Sequence, residues 1–522
     1  MANTTVGTRY GSVRGIEGDG CVSFLGVPYA SPPTGELRFR PPVDPEPWSG
    51  VRNTTEPGLI APQAETVLAG YVPGDPLAQG EDCLMLNVFA PAIDDGRRPV
   101  LVYIHGGAFL IGSGAGVMYR GEQFARRGVV VVTMNYRLGA LGFLAHPDLA
   151  AGNGGGFGNW GLADQIAALR WVRDHIASFG GDPGNVTLVG ESAGAMSAAD
   201  LLISPQASGL FRRAILESGA TLARSPSSAG EVAEQFTTLL GLPGVRRDLL
   251  CEVPLAELLE AQAALLTSLG DLGGDAGMPF QPVVDGGVLP VHPDAAIAAG
   301  TSNVEALIVG TNRDEFRLFT VGQRQLDELD EPTLEKLVSA YIPPGTAIEA
   351  GGLVDAYREA SLARAAQLSR RQLFEVIAGD ALFRIPALRL VTAHSRIAPT
   401  YCYRFDWESP FAGLGLGACH GLELPFVFGT VINPVIGLFS GSSPEALTLS
   451  DAIQSSWAAF VSDGDPSVVA TGRWPHYDAE HRRTLVFGPD IHLEDAPEEA
   501  ERWYWEARLD RYGMTRATPG ED

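Results

Sequence analysis

Positive charge is scarce in this chain. Its 522 residues carry 37 Lys and Arg against 62 Asp and Glu, a formal net charge of −25. Nucleic-acid binding needs clustered Lys and Arg to neutralise phosphates, so the balance argues against it; it would also be repelled by anionic membrane surfaces. Cysteine is sparse too: Cys21, Cys83, Cys251, Cys402 and Cys419 stand apart, without Cys-x-x-Cys or other metal-ligand spacing. An odd, scattered set reads as reduced thiols in the cytoplasm. No apolar run reaches the roughly 18 residues of a membrane span, and the first ten residues have neither a basic nor an apolar signal region. A cytoplasmic location is therefore expected. No internal repeat or low-complexity linker divides the chain, so a single domain over residues 1–522 is expected, although length alone suggests roughly three.

What is present points to a large α/β enzyme. Hydrophobic residues make up 45% and charged residues 19%, ample for a large core. Residues 8–13 and 22–27 read as strands of a small N-terminal β-meander. Prolines between 28 and 33 bar regular structure, and residues 57–80 form a Gly/Pro-rich loop long enough to be functional. Residues 86–89 are a strand. From Val100 the runs 100–104 and 129–133 are continuously apolar, as in strands buried on both faces of a parallel sheet. Leu162, Ile166, Leu169, Val172, Ile176 and Phe179 recur at helical spacing and stop at Gly180-Gly181. Apolar runs at 186–189, 214–216 and 306–309 follow. Strands alternating with helices predict a doubly wound sheet. Residues 224–275 and 320–400 are Ala/Leu-rich with helical patterning, expected as insertions capping it. A tail helix should start at Asp495-Ala-Pro-Glu498, and residues 514–522 should fray.

The chemistry centres on residues 185–199. A short apolar strand runs into Gly190-Glu191-Ser192-Ala193-Gly194, then into small residues of helical character. A serine on such a turn has its hydroxyl lifted clear of the sheet at a helix N-terminus. Gly190 and Gly194 remove side chains where strand and helix nearly touch, and the serine needs a strained backbone. A serine hydroxyl is a poor nucleophile at neutral pH; it needs a histidine base, oriented by a carboxylate. The expected chain order is Ser, acid, His, which leaves His292, His394, His420, His476, His481 and His492. Past strand 306–309, Asp314 or Glu315 projects as the carboxylate, unless both are surface charges. His420 lies beside Gly421 in a loop before an apolar segment, where many histidines are inert. His105-Gly-Gly-Ala-Phe109 follows strand 100–104, where backbone N–H groups can form an oxyanion hole or the glycines simply make a tight turn. No metal, organic cofactor or phosphate-binding loop is called for.

Taken in order, these segments resemble the type-B carboxylesterase family of the α/β-hydrolases, the branch of bacterial para-nitrobenzyl esterases and cholinesterases. The resemblance covers nearly the whole chain. It rests on Phe24-Leu-Gly-Val-Pro-Tyr-Ala30, Leu37-Arg-Phe39, Glu81-Asp-Cys-Leu84, His105-Gly-Gly-Ala-Phe109 and Asn135-Tyr-Arg-Leu-Gly139. Further matches are Gly161-Leu-Ala-Asp-Gln165, Phe179-Gly-Gly-Asp-Pro183, the serine pentapeptide, Pro282-Val-Val-Asp285 and the stretch around His420. It implies an α/β-hydrolase fold: a large, mostly parallel, twisted central sheet with helices on both faces, the N-terminal meander and helical cap insertions. It implies Ser192 as nucleophile, Glu315 as acid and His420 as base, with Gly107, Ala108 and Ala193 donating the oxyanion N–H groups. Glu315 is preferred to Asp314 because the family places its acid second in that pair. Glu191 resembles the family's buried carboxylate beside the nucleophile, and Ser218 its serine behind the triad; fold maintenance is an equal reading for both. Arg38 with Glu81 and Arg137 with Asp164 resemble structural ion pairs, and His105 a residue that positions the oxyanion turn.

Two departures from the family bear on substrate. Where secreted members have a cysteine before Pro-Gln, this chain has Ala61 before Pro62-Gln63, so Cys83 lacks that partner. Residues 61–82 contain no Trp and one aromatic, Tyr71, so a cation–π cage for a quaternary ammonium is not expected. The Gly-Gly-Ala turn is associated by analogy with bulky and tertiary alcohols. The resemblance thus implies a serine carboxylesterase for short- to medium-chain esters of p-nitrophenyl or p-nitrobenzyl type, acting on a small molecule without a cofactor. An amidase or carbamate hydrolase using the same residues is the alternative, and a non-catalytic binding module the remoter one.

Overall fold

The computed structural model describes residues 3–18, 20–64, 77–150, 156–269, 278–411 and 413–509. The apolar runs become one thirteen-stranded sheet among them. Its first strands are β1 (Asn3–Thr8), β2 (Gly11–Gly18), β3 (Cys21–Pro28), β4 (Val51–Asn53), β5 (Met85–Ala90), β6 (Arg98–Ile104) and β7 (Val130–Met134). Then come β8 (Gly181–Glu191), β9 (Arg213–Glu217), β10 (Ala306–Asn312), β11 (Thr400–Phe405), β12 (Arg483–Phe487) and β13 (His492–Asp495). Across the sheet the order is β1-β2-β3-β5-β7-β6-β8-β9-β10-β11-β12-β13, with β4 beside β2. From β7 to β12 every pairing is parallel. The N-terminal strands up to the β5–β7 pair, and β13 on β12, pair antiparallel, except that β4 lies parallel to β2.

The parallel strands are apolar throughout because both faces are covered. Along β6, Val100, Val102 and Ile104 pack into one core while Leu101 and Tyr103 pack into another, as a period of two requires. Each fully buried side chain of this kind contributes roughly 1.5–3 kcal/mol. The longer helices are α1 (Trp160–His175), α2 (Ala193–Leu201), α3 (Pro226–Leu239) and α4 (Leu255–Leu269). They continue with α5 (Glu331–Ser339), α6 (Ala350–Ala363), α7 (Arg370–Gly379), α8 (Ile385–His394), α9 (Pro444–Asp463) and α10 (Glu499–Leu509). In α1 the residues at helical spacing are buried, and left-handed Gly180 (φ 81°) stops the 3-10 turn that extends it. A third core joins Phe316 to Tyr357 of α6, Phe374 and Ile377 of α7, and Trp505 of α10.

Three local readings change. The strand expected at 8–13 straddles the β1–β2 turn: the chain reverses at Arg9-Tyr10, and Gly11 (φ 150°) sits where a Cβ would meet the Trp48 indole at 2.4 Å. The tail helix starts at Glu499, because Asp495 still pairs in β13 and Ala496 and Glu498 are left-handed (φ 46° and 54°). Strands β11 to β13 have no counterpart among the runs read from the sequence. Tyr71 and residues 514–522 lie outside the described residues.

Two ion pairs anchor the loops around the sheet. Arg137 donates to Asp164 from Nε at 2.8 Å and Nη2 at 2.7 Å, both side chains buried, tying the loop after β7 to α1. Arg38 grips Glu81 through two bonds of 2.6 Å and donates to the carbonyls of Cys251 and Val253. All five cysteines are free thiols, and burial pushes the Cys83 thiol far up, which suppresses its thiolate. No helix of the described residues is long and apolar enough to cross a membrane.

Candidate active site

β8 ends at Glu191, and Ser192 bridges to α2 with φ 55° and ψ −126°. That backbone costs on the order of 1–3 kcal/mol for a residue with a Cβ. It is held by the Ser192 N–H donating to the Glu217 carbonyl at 2.9 Å and the Met196 N–H donating to the Ser192 carbonyl at 2.8 Å. The flanking glycines are steric necessities: a Cβ on Gly190 would lie 2.3 Å from the Gly194 carbonyl, and one on Gly194 would lie 2.0 Å from the Ile104 oxygen. Strand, turn and helix thus present Ser192, partly exposed, between two buried neighbours.

The turn after β6 lies against this serine. A Cβ on Gly106 would meet the Ser192 Cβ at 2.8 Å. Gly107, Ala108 and Phe109 all have positive φ (110°, 54° and 61°), and a Cβ on Gly107 would strike the Ile111 carbonyl oxygen at 2.1 Å. Among the described residues, the N–H groups of Gly107, Ala108 and Ala193 donate no hydrogen bond. Ala193 opens α2, where the first N–H groups have no partner within the helix. His105 braces the turn from behind. Its Nδ1 donates to the Gly106 carbonyl at 2.8 Å and its ring stacks on Tyr136 at 4.5 Å. Burial lowers its pKa to about 4, so it stays neutral.

β10 leads into the acid. Glu315 is buried; its Oε1 accepts from the Asn312 N–H at 2.8 Å and its Oε2 from His420 Nδ1 at 2.7 Å. Asp314 points elsewhere, held by Arg313 at 2.8 Å, Arg317 at 2.9 Å and the Ala418 N–H at 2.9 Å. Glu315, not Asp314, therefore faces a histidine. The other histidines weighed as bases sit apart: His394 bonds Ser302 and Thr400, His476 bonds Tyr401, and His481 bonds Asp478. His292 precedes a short helix, and His492 is exposed on β13.

His420 Nε2 lies 3.1 Å from Glu191 Oε1, while the Ser192 hydroxyl has no hydrogen-bond partner among the described residues. Burial lowers the His420 pKa, but Glu191 and Glu315 outweigh it and hold it up to about 9. Burial pushes the Glu191 carboxyl up to about 7 against the pull of His420.

Ser218 was expected behind the triad, but several other neighbours escaped the sequence reading. Asn312 donates its side-chain N–H groups to the Cys419 carbonyl at 2.8 Å and to Glu423, tying the acid's loop to the histidine's. Burial pushes Glu217 up to about 8 despite the 2.7 Å bond from the Trp457 indole, and pushes Glu423 well above the usual range. Glu217 is therefore mostly protonated near pH 7. Ser218 is buried at φ 52°, its N–H bonded to the Gly310 carbonyl at 2.8 Å and its hydroxyl without a partner among the described residues. Phe319 and Phe383 pack on the His420 ring at 5.2 and 4.6 Å. No local pattern marks Asn312, Glu217, Glu423, Phe319 or Phe383.

The carboxylesterase family model matches residues 2–505. The chain belongs to that family. Over 503 residues this carboxylesterase is 39% identical to a para-nitrobenzyl esterase of Bacillus subtilis, spanning 96% of this chain and 98% of that one. It is 34% identical to rat carboxylesterase 1D over 563 residues, 96% and 95% of the two chains. A solved carboxylesterase of Geobacillus stearothermophilus superposes with a TM-score of 0.84 at 38% identity, covering 96% of this chain and 100% of that one. The fold is the α/β-hydrolase fold, and the activity is serine carboxylesterase hydrolysis of a small-molecule carboxylic ester.

Proposed function

We propose that Ser192, Glu315 and His420 carry out this hydrolysis as nucleophile, acid and base, with the N–H groups of Gly107, Ala108 and Ala193 as the oxyanion hole. The observation that carries the reading is the 2.7 Å bond from His420 Nδ1 to Glu315, which orients the ring and leaves Nε2 as the nitrogen that exchanges protons. When ester binds, Nε2 passes from Glu191 to the Ser192 hydroxyl and takes its proton as Oγ attacks the carbonyl. The three N–H groups receive the developing oxyanion. Protonated His420 then gives its proton to the departing alcohol, and in the second half activates water against the acyl-enzyme. Each lost oxyanion donor costs about 10²–10³ in kcat. The steps need no cofactor, and residues 1–522 act as one catalytic domain capped by helices within 224–275 and 320–400.

The preferred substrates are short- to medium-chain esters of p-nitrophenyl or p-nitrobenzyl type, and the Gly106-Gly107-Ala108 turn admits bulky alcohols. Turnover of p-nitrophenyl acetate, butyrate and octanoate beside tert-butyl acetate tests this. Fast turnover within this acyl range with measurable tert-butyl acetate hydrolysis supports it; failure to turn over all three p-nitrophenyl esters, or inertness to the tertiary ester, contradicts it. The five free thiols and Ala61 in place of a cysteine opposite Cys83 favour a reducing cytoplasm.

A further inference from the structure

Between α7 and α8 the helix widens into one π-turn, Asp380–Arg384. Pro386 explains the break: its ring has no N–H to give and would crowd the carbonyl of residue 382 in a regular helix. Such turns re-aim the side chains they carry. Here the turn aims Phe383 at the triad, its ring 4.6 Å from that of His420 and parallel, within 9°, to Phe319 on the same histidine. Just before the turn, Gly379 backs onto the acid: a Cβ there would lie 3.5 Å from the Glu315 Cβ. The same short segment thus touches both the acid and the base.

What fixes the π-turn is a buried polar cluster anchored in the last described helix. Arg384 donates to both oxygens of Asp380, by Nε at 2.6 Å and by Nη2. The Tyr357 hydroxyl donates to the same carboxylate, and the Trp505 indole N–H of α10 donates to that hydroxyl at 2.7 Å. Glu498, just before α10, lies 3.3 Å from Arg384. Asp380, Arg384, Tyr357, Phe383 and Trp505 are all buried, so each lost bond leaves a polar group without water to replace it.

We propose that α10 is a positioning element for the triad, and Phe383 a positioning residue for His420. This rests on the reading of His420 as base. Trp505, through Tyr357 and the Asp380–Arg384 pair, holds the π-turn in the one shape that packs Phe383 on the imidazole and Gly379 behind Glu315. Loosening α10 lets the imidazole drift from the position from which it reaches Ser192 when ester binds, without touching substrate, so the loss falls on kcat rather than KM.

Trp505→Phe tests this, since it deletes one N–H and keeps an aromatic ring. Kinetics with p-nitrophenyl butyrate are measured beside the downfield proton resonance of the His420–Glu315 hydrogen bond, which a merely structural helix would not move. The expected result is a fall in kcat of about fivefold, the worth of one hydrogen bond, with KM within about twofold and the resonance shifted. Wild-type kcat and resonance in a variant that only melts earlier would overturn the proposal. Phe383→Leu, read the same way, covers the case in which Trp505→Phe does not fold: about a tenfold loss in kcat is expected, and an unmoved kcat and resonance overturns it. Ester hydrolysis that survives Ser192→Ala would instead overturn the triad reading itself, so the two failures are distinct.

Discussion

His420 Nε2 and Glu191 Oε1 are 3.1 Å apart, and Glu191 is the residue directly before Ser192. The candidate base therefore rests against a carboxylate rather than against the serine. Two carboxylates, Glu191 and Glu315, favour its protonated form and outweigh the burial that opposes it. A protonated histidine cannot take a serine's proton, so on the triad proposed above this contact would set the pH at which the enzyme becomes active.

The base form is required, and the pKa of His420 is held up to about 9; kcat/KM for p-nitrophenyl butyrate should therefore rise with pH across the neutral and mildly alkaline range. Glu191→Gln removes a charge that favours imidazolium, so the acid limb should move to lower pH. An acid limb that stays in place, or moves up, contradicts the role given to Glu191.

Gly107→Ala places a methyl group 2.1 Å from the Ile111 carbonyl oxygen, at a φ of 110° that side chains disfavour. The turn must shift, carrying two of the three unengaged N–H groups with it. Acylation by p-nitrophenyl esters should slow about 10²–10³-fold while the fold, followed by circular dichroism, stays intact. A variant acylating at the wild-type rate would remove this turn from the mechanism.

Asn312→Leu should lower both stability and kcat. It leaves Glu423 without its amide partner, leaves the Cys419 carbonyl only the Leu422 N–H at 3.2 Å, and unties the loops of Glu315 and His420. Each unsatisfied buried group costs about 1–3 kcal/mol, readable in urea unfolding. Wild-type stability would show that other groups satisfy them.

Arg137→Met strands Asp164, which is fully buried. Breaking such a pair costs roughly 3–5 kcal/mol, whereas removing both partners is far milder. Urea unfolding should show Arg137→Met well below wild type and the double variant Arg137→Met, Asp164→Leu recovering most of the loss. A double variant no better than the single one contradicts a purely structural role.

Much of this was readable in the chain because it is dictated locally. Ser192 needs a strained turn, and only Gly190 and Gly194 fit within 2.3 Å of the apposed backbone, so the serine announces itself by its neighbours. The parallel strands announce themselves because both faces are covered. The choice between Asp314 and Glu315 is not local: adjacent carboxylates diverge, one to Arg313 and Arg317, the other to His420. β11 escaped because Thr-Tyr-Cys-Tyr-Arg-Phe carries an arginine that is neutralised only in the fold, by Asp406 at 2.7 Å. Asn312 and Phe383 escaped because they meet His420's loop only through the tertiary structure. The tail helix was displaced by three residues because left-handed Ala496 and Glu498 delay it.

The central claim, that Ser192 is the nucleophile of this triad, is tested most directly by organophosphate titration with mass mapping of the label, on wild type and Ser192→Ala. The account predicts one label per chain, on Ser192, with p-nitrophenyl ester hydrolysis falling in step with labelling and absent from the variant. A label on another residue, or hydrolysis that persists in Ser192→Ala, would contradict it.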